Sequence, residues 1–180
     1  MEVPAVMYCN ADIFYITMLN KAYHGLLHFP FLGRNYEVYL DGLPVTLMNF
    51  LKTLEEHPSE TKPKVSVLIN CGFIEPEQND VAVKMLQYFC NKQGYPFGST
   101  LRIGSGEAIL NTPLKIFAIR KIKQLAASVA KGKNKKLKAT MPLPKKLFIK
   151  ASTSYWENYG KKNGITPEQM ATMDIEKEPI

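Results

Sequence analysis

The chain has 180 residues, 46% of them hydrophobic and 22% charged, with a net charge of +7. That length suits one compact domain with a full core, and the balance is that of a globular protein, not a disordered or fibrous one. The longest stretch without Asp, Glu, Lys or Arg is the twelve residues 22–33, short of the about 20 apolar residues that a bilayer span takes, so membrane insertion is not expected.

The opening "MEVPAVMYCN" has no basic n-region and does not read as a signal peptide. The residues after it allow two readings. "ADIFYITM" is rich in aromatic and β-branched residues, as strands are. Alternatively "VPAVMY" is a short strand, and Ile13, Ile16, Leu19, Tyr23 and Leu26 form a helical stripe. The spacings support both, with a slight preference for the strand. Residues 35–56, "NYEVYLDGLPVTLMNFLKTLEE", read as a strand, a sharp turn at Asp41-Gly42-Leu43-Pro44 and a helix. Leu47, Phe50, Leu51 and Leu54 give that helix an apolar stripe, and Pro44 sits where a first helical turn tolerates it.

"KVSVLIN" (64–70) is a nearly continuous apolar run, the pattern of a strand buried on both faces. "CGFIEPEQN" breaks it. Ala82, Met85, Leu86 and Phe89 then recur at helical spacing, with Asn79 or Asp80 as cap and Gly94 as terminator. "FGSTLRI" is a further strand, ended by "GSGEA". Leu114, Ala118, Ile122, Leu125 and Val129 mark a helix over about 113–131, stopped by Gly132. "GKNKKLKATMPLP" reads as a polar loop, "KKLFIKASTSYWENYGKKNG" as a helix with an aromatic face, and "MDIEKEPI" as a frayed tail.

The middle of the chain thus alternates strand and helix, which argues for right-handed crossovers and a parallel sheet covered on both faces. Ligands of such sheets bind outside the carboxyl ends of the strands. Three glycine-bearing loops leave from those ends: "YLDGLP", "NCGFIEPEQN" and "GSGEA". Glycine lets backbone amides approach a ligand closely, and helix starts add a partial positive charge. On residue types alone, simple turn chemistry accounts for the same glycines and prolines.

These segments, in this order, resemble the flavodoxin-like NAD(P)H-dependent FMN reductases, also known as NAD(P)H dehydrogenases (quinone). "YLDGLPVTLMNFL" is similar to the end of that family's third strand and its helix. "VLINCGFIEPEQN" resembles its fourth strand and the following loop, "GSGEAI" its glycine-rich segment, and "KKLFIKASTSYWENYGKKNGIT" a Trp-containing C-terminal helix of some members. The resemblance runs from about residue 36 to 166. It implies an α/β, flavodoxin-like three-layer sandwich with a parallel sheet, spanning residues 1–170 as one domain with 171–180 as tail. It further implies an FMN cofactor, with Tyr39, Leu40, Asp41, Gly42 and Leu43 along the flavin edge. Gly72, Phe73 and Ile74 would lie against the ring, and Gly104, Ser105, Gly106 and Glu107 at the rim. The implied activity is an oxidoreductase that passes electrons from NAD(P)H through the flavin to a quinone, another flavin or a similar small acceptor. The flavin does the hydride chemistry, so no catalytic side chains are assigned.

Two departures stand out. Glu37-Val38 replace the family's Pro-Leu before the tyrosine. Residues 1–35 contain no Gly-Ser-Pro-Arg type loop ahead of a helix, the place where the family cradles the FMN phosphate. The expectation is a fold shortened or degenerate at its N-terminus, with self-association covering the apolar surface that missing strands would leave. The alternative function is a non-catalytic flavodoxin-like binding or interaction protein that has lost its phosphate loop.

The remaining residues read as structural. Three cysteines (Cys9, Cys71, Cys90) without CxxC spacing point to reduced thiols and a cytoplasmic setting, not to a disulfide framework or zinc. Cys71 and Cys90 are expected to pack. His24 and His28 lack the acidic partner a metal motif needs, so no metal site is assigned. Trp156, Tyr155 and Tyr159 are expected as core anchors before flavin or base stackers. Residues 108–156 contain no acid and hold twelve of the 23 Lys and Arg. Such a face can attract nucleic acid, an anionic membrane or a phosphorylated ligand, but a solvated face is the simpler reading. Without an RNP, HTH or zinc-finger signature nucleic acid is disfavoured.

Overall fold

The computed structural model describes residues 5–9, 14–18, 27–28, 43, 45–58 and 62–171. Its strands are β1 (Ala5–Cys9), β2 (Phe14–Met18), β3 (Leu27–His28), β4 (Val65–Asn70), β5 (Phe97–Ile103) and β6 (Lys136–Ala139). They form one sheet in the order β3-β2-β1-β4-β5-β6. The block β1-β4-β5-β6 is parallel, with Cys9 opposite Ile69, Leu68 opposite Leu101 and Ile103 opposite Ala139. β2 pairs antiparallel with β1, and β3 antiparallel with β2. The protein is therefore α/β, with an open and mainly parallel sheet. Both "VPAVMY" and "ADIFYITM" supply strands, so residues 14–18 do not take the helical alternative.

The helices are α1 (Val45–Glu56), α2 (Asp80–Gln93), α3 (Gly106–Leu110), α4 (Lys115–Ala130), α5 (Lys145–Lys162) and α6 (Pro167–Met170). The strand expected over residues 35–40 and the tail from 173 lie outside the described residues. By contact the chain divides into two compact units, Met1–Met141 and Pro142–Ile180.

β4 is the centre of the first unit. All six of its residues are buried, as a continuous apolar run flanked by parallel strands requires. Val65, Val67 and Ile69 pack with Leu47 and Leu51 of α1, and with Ala82, Leu86, Cys90 and Tyr95 from α2 and its exit. Burying a Leu, Ile or Val side chain contributes about 1.5–3 kcal/mol relative to leaving it in water, so this face carries much of the fold. Of the stripes read from spacing, Leu47, Phe50 and Leu51 of α1 and Ala82, Leu86 and Phe89 of α2 pack here, while Leu54 and Met85 are half-buried outside this cluster. Gly94 terminates α2 in the left-handed region, at φ 74°, where a side chain would be strained. Asn79 precedes α2, but its side chain makes no capping bond.

The opposite face of the sheet is tied by serines. Ser99 Oγ, fully buried on β5, lies 2.6 Å from Ser128 Oγ of α4 and donates to the Lys133 carbonyl at 2.8 Å. The Lys135 N–H donates to it at 3.0 Å. One hydroxyl thereby joins β5, the end of α4 and the entry to β6. This explains a departure from the sequence reading. The stretch assigned to a polar loop contains strand β6, "KLKA", parallel to β5. Its lysines are exposed and its Leu137 and Ala139 turn inward. Four residues, two of them lysine, carry little strand propensity, and tertiary pairing supplies what propensity lacks.

Replacing Ser99 by Ala leaves the Lys135 amide short of a partner, while the Ser128 hydroxyl keeps the Lys133 carbonyl. The expected loss is about 1–3 kcal/mol of unfolding free energy, read from urea denaturation followed by circular dichroism.

Candidate functional site

A helix that leads into a parallel strand runs opposite to it, so α1 and α2 begin at the edge where β4 and β5 end. The exits of β4 and β5 lie side by side there, because Asn70 pairs with Ile103. The structure brings two of the three expected loops together. Gly72 and Phe73 are exposed, with Phe73 at 55%, and Ile74 is half-buried. Gly104, Ser105 and Gly106 are buried beside them. Leu43 packs against the core at the start of α1. Tyr39, Leu40, Asp41 and Gly42 lie outside the described residues, as does the side chain of Glu107.

The glycines of the second loop serve contact between loops. The Ser105 N–H donates to the Phe73 carbonyl at 2.5 Å and the Gly106 N–H to the Cys71 carbonyl at 2.8 Å. The Cys71 N–H donates to Ile103 at 3.0 Å and the Gly104 N–H to Ala139 at 2.8 Å. A Cβ on Gly104 would stand 2.5 Å from the Ile74 carbonyl oxygen and 2.9 Å from the Pro76 nitrogen. A Cβ on Gly106 would collide with the Asn70 amide. Backbone thus meets backbone, and the amides of residues 105 and 106 are engaged within the protein.

Ser105 has a φ of 51°, the one non-glycine residue with positive φ among those described. A side chain in that region costs on the order of 1–2 kcal/mol, and such strain collects at sites and switches. Here it is held by hydrogen bonds. Ser105 Oγ donates to the Gly104 carbonyl at 2.7 Å, accepts from the Met141 N–H at 2.9 Å and lies 3.3 Å from Thr140 Oγ1. Fully buried and engaged on both sides, this hydroxyl is a pin between the exits of β5 and β6, not a nucleophile.

Two contributors escaped the sequence reading. Asn79 is buried, and its Nδ2 donates to the carbonyls of Pro76 and Ile103 and lies 3.3 Å from Cys71 Sγ. It clamps the β4 exit loop to β5 in place of capping α2. Thr140 donates to the Ile74 carbonyl. An Asn before a helix looks like a cap, and a Thr in a lysine-rich run looks like solvent. Only the pairing of β6 with β5 reveals what Thr140 does.

Charge at this edge is largely paired. Arg102 of β5 meets Asp80, the first residue of α2. Lys138 of β6 reaches Glu77 at 2.5 Å and holds that carboxyl below its ordinary range. The first turn of α1 carries no acidic residue, so its N-terminal partial charge is not neutralised from within that turn. Among the described residues no cluster of His, Cys, Asp and Glu could hold a metal ion.

The described thiols differ. Cys90 is 1% exposed, and burial pushes its pKa to about 11. Cys71 is half-buried at the rim.

Compared with protein families, curated proteins and solved structures, the chain has no match. Assignment of a role therefore rests on its own residues.

Two outcomes are expected here. Gly104→Ala forces the Ile74–Pro76 backbone to move and lowers stability by about 1–3 kcal/mol in urea titration. In the folded protein Cys90 alkylates far more slowly than Cys71 at pH 8. The shift from 9.0 to about 11 alone cuts its thiolate fraction roughly 100-fold, which peptide mapping after timed iodoacetamide treatment would show.

Proposed function

We propose that the chain is a flavodoxin-like protein whose carboxyl-edge rim takes FMN, acting as an NAD(P)H-dependent oxidoreductase toward a quinone, a flavin or a similar small acceptor. The observation that carries this is the juxtaposition of the 71–75 and 104–106 loops at the ends of adjacent parallel strands, the place where such sheets collect ligands. The order of the parallel block, with helices on both faces, agrees with a flavodoxin-like sheet.

The residues present suit the flat body of the flavin ring. Phe73 offers an exposed aromatic face, and Gly72 has nothing within 4 Å of where a Cβ would stand, so a planar group can come close to the backbone. The first turn of α1, without an acid, favours an electron-rich ring edge. When bound, FMN would supply hydride acceptance from nicotinamide and onward electron delivery. The chain would supply the platform and its electrostatics.

A second reading is favoured by a specific observation. The amides of Ser105 and Gly106 are spent on the Phe73 and Cys71 carbonyls. Arg102 and Lys138 also spend their charge on Asp80 and Glu77, and so offer less of it to a phosphate there. A binding module that keeps the rim without turnover fits these facts.

Titration of FMN into the purified chain separates the readings. The enzyme reading expects a yellow protein, saturable quenching of flavin fluorescence, and flavin-dependent NAD(P)H consumption with a quinone acceptor. Phe73→Ala, a change at an exposed position, should raise the FMN Kd roughly 10-fold if stacking is lost. Quenching without turnover selects the binding module, and neither colour nor quenching removes both.

A further inference from the structure

We propose that α5 is a membrane-surface helix that lies on anionic lipid bilayers. The inference does not depend on the flavin reading. It concerns the second unit, Pro142–Ile180, and starts from the distribution of residues on one 18-residue helix. At 100° per residue, Phe148, Ile149, Ser152, Tyr155, Trp156 and Tyr159 occupy an arc of about 120°. Lys146, Lys150 and Lys161 fall on the opposite side, and Lys145 and Lys162, at the two ends of the helix, fall on or beside the arc. The helix carries five lysines and one glutamate, and lies at the end of the acid-free stretch.

The apolar arc is open. Ile149 is 53% exposed, Trp156 47% and Tyr159 55%. The aromatics stack on one another: Tyr155 meets Trp156 edge-on at 5.3 Å between ring centroids, and Trp156 meets Tyr159 at 5.9 Å. α6 extends this surface. Met170 reaches the α5 backbone so closely that a Cβ on Gly160 would stand 2.5 Å from its sulfur. With Pro167 and Met170, the residues Phe148, Ile149 and Trp156 line an open groove of about 460 Å³, with Glu157 at its polar side. These aromatics, expected as core anchors, line a surface.

Charge and geometry select the occupant. A second copy is disfavoured, because a net charge of +7 and a lysine-rich helix would face their like. Single-stranded nucleic acid needs bases stacked on aromatics and phosphates on lysines along one groove, whereas here three of the five lysines lie on the face opposite the aromatics. That segregation suits an interface. Aromatic and aliphatic groups sink to the acyl boundary, while lysines stay among anionic headgroups and extend their stems along the polar side. The six charged residues of α5 prevent it from spanning, and no helix among the described residues is long and apolar enough to cross a membrane.

Trp156 is the only tryptophan, so it reports on this face directly. The full chain is mixed with vesicles of phosphatidylcholine alone, or with equal parts phosphatidylglycerol, and followed by Trp emission and co-sedimentation. A blue shift and sedimentation with the anionic vesicles, both reduced by added salt, are expected. Replacing Lys146, Lys150 and Lys161 together by glutamine should weaken partitioning roughly 100-fold with an unchanged far-UV spectrum. Ile149→Asn should weaken it while leaving the salt dependence in place. No blue shift with anionic vesicles, or equal binding to neutral ones, would overturn the proposal. So would Trp quenching by an oligouridylate, or concentration-dependent dimerisation that buries Trp156, if either occurs without vesicle binding.

Discussion

The pairing of β4 with β5 is the constraint on which the first unit rests. β4 has no polar face to give to water, since all six residues are buried. It must be covered on one side by α1 and α2 and flanked by strands along its length. Alternate residues of β5 then point to the two sides. Arg102 reaches the start of α2, and Ser99 reaches α4. A change in register by one residue would turn the guanidinium to the face that α4 covers and the serine away from it.

That register also determines what the carboxyl edge can be. Because Asn70 and Ile103 end their strands together, the two exit loops leave at the same height and have no room to diverge. Gly104 lies against the Ile74 carbonyl, and Ser105 adopts a strained φ of 51°. The rim gains rigidity at the expense of amides that a ligand could have used. What remains available is surface of a different kind, an exposed phenyl ring and a bare glycine. Recognition of a flat ring needs a platform more than donors, whereas recognition of phosphate needs the reverse.

Much of the first unit was legible in order and type. The buried run 65–70, the stripes of α1 and α2, and the glycine stop at Gly94 follow from local rules, because burial on one face imprints a period that needs no knowledge of the rest. β6 was not legible, since "KLKA" owes its conformation to hydrogen bonds with β5, a partner more than 30 residues away. The same holds for Asn79 and Thr140, whose roles are created by where β5 and β6 bring the backbone. For the candidate site, sequence placed the loops at strand exits, but could not tell amides aimed outward from amides consumed by the neighbouring loop. For α5, the aromatic spacing was visible, while the reading of it as core failed because helical period reports an apolar face without saying what covers it.

β6 closes the described sheet at one end and pairs on a single side, with β5. Its other side is a row of backbone groups that could recruit a strand from another molecule. Lys136 is exposed, and Lys138, also exposed, is paired with Glu77. A second molecule arriving by the same edge would bring its own Lys136 against this one, and the like charges would repel before the backbones could join. Polymerisation through this edge is therefore opposed by charge at Lys136, and acylating that ammonium group, or screening it with concentrated salt, lowers the barrier.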